Sequence, residues 1–71
     1  MKKYIRLSHY FYNDSISSIE TIRPVLIGID RIRVVTYSET AGSVIWLDNG
    51  DNIHVLENIE TIENLLNTKQ G

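Results

Sequence analysis

Between Lys2 and Tyr12 the chain alternates. Ile5, Leu7, His9 and Phe11 fall on one side, and Tyr4, Arg6, Ser8, Tyr10 and Tyr12 on the other. A period of two predicts a strand over Lys2 to Phe11 with two unlike faces. Asn13-Asp14-Ser15 interrupts it. From Ser15 to Ile22 two readings compete. Ile16, Ile19 and Ile22 are spaced by three, as in a helical turn capped by Asp14 or Ser15, whereas the β-branched content favours extended backbone. Pro24 disfavours helical backbone at Arg23, and Val25-Leu26-Ile27 reads as a short strand. Gly28-Ile29-Asp30 is a turn or bulge. Ile32 to Tyr37 is the next strand, with Ile32, Val34 and Thr36 opposed to Arg33, Val35 and Tyr37. Ser38 to Gly42 is a polar connection.

The most informative stretch is Gly42 to Leu66. Asp48-Asn49-Gly50-Asp51 stands between two apolar runs, and Asn-Gly is a strong hairpin signal. A two-residue Asn49-Gly50 turn would set Asp48 opposite Asp51, and like charges directly opposite are unfavourable. A three-residue Asp48-Asn49-Gly50 loop with left-handed Gly50 pairs Leu47 with Asp51 and Ile45 with Ile53. Ile45, Leu47, Ile53 and Val55 then share one face, and Val44, Trp46, Asn52, His54 and Leu56 the other. A slip of one residue would exchange the two sets. After Glu57 the period lengthens. Ile59, Ile62, Leu65 and Leu66 form one helical stripe, and Asn58 is positioned to cap it. So short a helix must dock that stripe on a partner surface, and the aliphatic face of the hairpin is nearest.

The expected architecture is a single α+β domain over residues 1–71: a small, twisted antiparallel sheet of about four strands and one C-terminal helix. Seventy-one residues with 42% hydrophobic content fit one small core. Without cysteine there is neither a disulfide framework nor a thiolate metal site. No apolar run reaches the roughly 20 residues of a membrane helix, and Met1-Lys2-Lys3-Tyr4 is not followed by the apolar core of a signal peptide. The expected setting is soluble and cytoplasmic. A core this small is commonly supported by oligomerisation, so a homo-oligomer is expected.

Charge divides the chain. Residues 1–33 hold Lys2, Lys3, Arg6, Arg23, Arg31 and Arg33 against Asp14, Glu20 and Asp30, a net of +3. Residues 34–71 hold Lys69 against Glu39, Asp48, Asp51, Glu57, Glu60 and Glu63, a net of −5. Candidate chemistry is sparse. His9 and His54 are far apart in sequence, no motif activates Ser15, Ser17 or Ser18, and the glycines are too dispersed to cradle a phosphate. Asp48 to Asp51 lacks the spaced ligand set of an EF-hand loop. No catalytic residue, cofactor or metal is expected.

The pattern Pro24-Val25, Ile29, Ile32, Gly42-Ser43, Ile45, Leu47, Gly50, Val55 and Glu57, followed by an amphipathic helix, resembles the FlbD/SwrD-type family of small flagellar regulatory proteins. The likeness covers Pro24 to Leu66 and the first strand at Tyr4 to Leu7, and it implies fold far more than activity. The chain departs from the family at Phe11 to Arg23, where the family has a short glycine turn, and at Ser43, where threonine is usual. The expected function is a non-enzymatic protein-interaction and regulatory module that binds a larger protein. A phage- or mobile-element-encoded inhibitor of a host system is one form of it. Its contact surface is expected at Trp46, His54, Val44 and Leu56, with Tyr10 and Tyr12, because an apolar patch with aromatic anchors marks a partner site. The alternative is a nucleic-acid-binding regulator that uses Lys2, Lys3, Arg6, Arg31 and Arg33 beside the tyrosines.

Overall fold

The structure, a computed structural model, describes residues 4–67; Lys2, Lys3 and Lys69 lie outside them. Five strands, one more than the sequence pattern predicts, make an antiparallel sheet: β1 (Tyr4–Asn13), β2 (Ser18–Gly28), β3 (Ile32–Tyr37), β4 (Ser43–Leu47) and β5 (Asn52–Val55). Their order across the sheet is β2-β1-β5-β4-β3. A 3₁₀ turn at Ile29–Arg31 links β2 to β3, and α1 (Ile59–Asn67) closes the chain.

β1 and β2 form one long hairpin, paired from Tyr4↔Gly28 to Asn13↔Ser18. Residues 14–17 make its tip. The Asn13 carboxamide oxygen accepts from the Ser15 N–H, and Ser17 takes positive φ. The segment left open between helix and strand is therefore the tip and the outgoing strand. Extended backbone runs from Ser18, not only from Val25. The spacing of three has a definite cause. The register slips between Phe11 and Tyr12, so Tyr10 faces Ile22, Tyr12 faces Ile19, and Glu20 is the extra residue of a bulge. Ile19 and Ile22 thus share a sheet face despite their separation. Pro24 lies on an edge strand, where a missing N–H costs no ladder bond.

The second hairpin has the predicted register. Ile45 pairs with Ile53 and Trp46 with Asn52. The Leu47 N–H donates to the Asp51 carbonyl (2.9 Å), the Gly50 N–H donates to the Leu47 carbonyl (3.1 Å), and Gly50 has φ +94°. β3 departs from simple alternation. A bulge at Arg33 separates Ile32↔Leu47 from Val34↔Trp46, which puts Ile32 on the same face as Val35 rather than Val34.

The core lies between one sheet face and α1. Ile5, Leu7 and Ile27 of the long hairpin meet Ile45, Val55 and Ile62, with Val35, Leu47, Ile53, Leu65 and Leu66 around them. The Asn58 side chain caps the helix by accepting from the Thr61 N–H at 2.8 Å. Among the described residues one ladder bridge, His9↔Val55, joins the two hairpins, and the Leu56 N–H donates to the Ser8 carbonyl beside it at 2.9 Å. Glu57 reinforces this seam. Its carboxylate accepts from the Ser8 N–H and the Ser8 hydroxyl (both 3.0 Å), and its carbonyl accepts from the fully buried Ser43 hydroxyl at 2.8 Å. Among the described residues no helix is long and apolar enough to cross a membrane.

Candidate functional site

α1 covers one face of the sheet and leaves the other open. The ladder registers decide which side chains stand on the open face. From β1 these are Tyr4, Arg6, Tyr10 and Tyr12; from β2, Leu26, Pro24, Ile22 and Ile19. From the second hairpin and β3 they are His54, Asn52, Val44, Trp46, Val34 and Thr36. Five of the six residues expected to form a partner surface, Trp46, His54, Val44, Tyr10 and Tyr12, therefore stand on one face.

Their exposures differ. Tyr10 is 3% exposed and Val44 is buried. The Ser38–Gly42 connection folds over Tyr10, whose hydroxyl donates to the Ala41 carbonyl (2.9 Å) and lies 3.2 Å from the Ser38 hydroxyl. Tyr10 and Val44 are thus the support of this face, and Trp46, His54 and Tyr12 are its accessible part. The His54 ring meets the Tyr10 ring edge-on, with centroids 5.9 Å apart. Trp46 lies across β3 and donates from its indole Nε1 to the Thr36 hydroxyl at 3.1 Å. Leu56 stands elsewhere. It follows the end of β5, and its half-buried side chain lines a groove with Tyr37, Asn58 and Ile59 at the start of α1. The alternation that would place Leu56 beside His54 stops when β5 ends at Val55.

β5 leaves β1 after the single bridge at His9, and a cleft of about 440 Å³ opens there. His9, Tyr10, Phe11, Tyr12 and His54 line it, with Asp14 and Thr40 at its margins. The His9 and Phe11 rings are 4.4 Å apart. The fold thus brings the two distant histidines to one cleft. Partial burial, and secondarily the neighbouring His54, hold the His9 imidazole below its ordinary pKa. Among the described residues no group of three or more His, Cys, Asp or Glu side chains could hold a metal ion. The Asp48–Asp51 loop satisfies its own polar groups. Asn49 bonds both the side chain and the N–H of Asp51, and Asp48 accepts from the Arg31 guanidinium at 2.9 Å.

Among the described residues, Arg6 alone of the expected basic residues stands with the tyrosines. Arg6 is on β1, Arg31 is held by Asp48, and Arg33 is in β3, with β5 and β4 intervening between β1 and β3. Sequence reasoning missed two elements of the site: the Tyr10–Ser38–Ala41 latch and the Glu57 clamp on Ser8. Neither carries a local motif, since each joins residues more than 25 positions apart. In comparisons with known proteins, no family model, no curated protein and no solved structure matches this chain.

Proposed function

We propose that the chain is a non-enzymatic protein-interaction module that regulates a larger protein by binding it through the open face of its sheet. The observation that carries this reading is that Tyr12, His54 and Trp46 stand accessible on the same helix-free face, with the buried Tyr10 as their support. The adjoining hairpin continues the surface with Tyr4, Ile22 and Leu26, all more than half exposed. Aromatic anchors on a supported, partly apolar surface are the usual centre of a protein interface. A phage- or mobile-element-encoded inhibitor of a host system is one form that such a module takes, motivated by the small size of the chain.

The test is capture from lysate by the wild-type chain and by Trp46→Ala and Tyr12→Ala, each shown to be folded by circular dichroism. A partner held by the wild type and lost by both variants supports the reading. Equal capture by all three rejects this face. Nucleic-acid binding is the second reading, favoured by Arg6 standing among Tyr4, Tyr10 and Tyr12 on β1. It predicts a gel shift with single-stranded DNA or RNA that weakens steeply with salt. No shift at low salt rejects it.

A further inference from the structure

On the opposite side of the sheet, α1 leaves part of its own face uncovered. Its buried contact is Ile62, packed with Ile5, Leu7, Ile27, Ile45 and Val55. Beside the edge strand β3, which the helix touches, two open grooves lie side by side. One, about 450 Å³, has Tyr37, Leu56 and Ile59 as its apolar floor and Glu60 and Glu63 on its rim. The other, about 320 Å³, continues between Val35, Ile59, Ile62 and Leu66, again with Glu63. Ile59 and Glu63 belong to both, so the grooves form one channel along the flank of α1. Its floor includes large apolar groups open to water, since Tyr37 is 77% and Ile59 40% exposed.

The charge along this channel is one-sided. Glu60 and Glu63 are exposed, and neither has an ion pair among the described residues. Among the described residues no Lys, Arg or His lines either groove. From Asp48 to Asn67 the chain holds five carboxylates and no cation. We propose that this channel is a docking site for a basic amphipathic segment of a partner protein, with aliphatic side chains against Tyr37, Leu56 and Ile59 and Lys or Arg beside Glu60 and Glu63. Complementary charge selects that occupant. A second copy placing its own α1 here would set glutamates against glutamates, and a nucleic acid would bring phosphates to them. The channel lies on the other side of the sheet from Trp46, so the site stands or falls independently of the function proposed above.

The test uses two fluorescent 14-residue peptides with the same leucine stripe, one flanked by lysines and one by glutamates, titrated by anisotropy at low salt. The expected result is binding of the lysine peptide only. Glu60→Lys/Glu63→Lys should weaken it at least tenfold, and Tyr37→Ala several-fold. The control Asp14→Lys/Glu20→Lys changes the net charge equally at the far tip of the hairpin and should bind as the wild type does. Three results overturn the proposal: no binding of the lysine peptide to the wild type, equal loss in both charge-reversed variants, or insensitivity to Tyr37→Ala.

Discussion

Gly42 shows how much of this fold hangs on single backbone positions. It takes φ +62°, and a Cβ there would stand 2.0 Å from the Val55 carbonyl oxygen and 2.6 Å from Leu56 backbone atoms. The close approach lets the Ser38–Gly42 connection close over Tyr10, with the Ser38 N–H donating to the Gly42 carbonyl at 3.2 Å. Gly50 also has positive φ, but nothing lies within 4 Å of where its Cβ would be. Gly50→Ala should therefore cost only backbone strain, about 1–2 kcal/mol. Gly42→Ala adds a backbone collision that no rotamer relieves, and its loss should exceed that of Gly50→Ala by more than about 1 kcal/mol. Urea unfolding of the two variants checks the order, and equal losses would refute it. His9 gives a pH prediction. Its folded pKa lies below the ordinary histidine value, so the folded state resists protonation. The contribution is intact above pH ~6.5 and is lost as pH falls from there through the folded value. Wild-type stability should drop between pH 7.5 and pH 5, and His9→Gln should flatten that part of the profile. An unchanged slope in the variant would assign the acid sensitivity elsewhere.

At the scale of elements, legibility followed burial. The second hairpin could be read residue by residue because its aliphatics Ile45, Leu47, Ile53 and Val55 collect on one face, so alternation and the Asp48–Asp51 repulsion together left one register. Asn58 and its helix were readable for a similar reason: cap chemistry and a change of period coincide. The outer part of β2 was not readable. Its distal half has no core to face, and the bulge at Glu20 turns a strand repeat into a spacing of three that imitates a helix. The bulge at Arg33 similarly displaced Ile32 from the face that strict alternation assigns to it. Seams between elements left no local trace, which is why the Glu57 clamp escaped the sequence. Helix α1 supports a graded prediction. Asn58→Ala should cost about 1 kcal/mol by removing the cap, and Asn58→Ser should restore most of it. Ile62 is 1% exposed and is the one helix side chain within the buried cluster. Ile62→Ala should cost about 2–5 kcal/mol, a large share of the roughly 4–10 kcal/mol expected for a domain of this size. A loss in urea below about 1 kcal/mol would mean that α1 does not close the core.

The molecule as a whole is elongated, 45 × 23 × 18 Å, because the long hairpin runs on past the sheet. An isolated two-stranded ribbon is at best marginal in water. Here the ribbon carries Phe11, Tyr12, Ile16 and Ile22 exposed near its tip. Of these, Tyr12 and Ile22 stand on the Trp46 face and make that side of the molecule more apolar than a free surface needs to be, and a second copy is one way to cover it. Light scattering separates the possibilities. If the wild type has twice the chain mass and Trp46→Ala is a folded monomer, the open face is the homo-oligomer interface, and the acidic channel on the other side becomes the place to look for a different partner. If both are monomers, tryptophan emission decides between the remaining cases. Trp46 is half-buried with its indole held by Thr36 in a surface bond, so its emission should lie to the red of a core tryptophan and shift blue when a partner covers it. Blue emission from the free monomer would mean that the chain covers Trp46 by itself, and the sheet face would lose its central anchor.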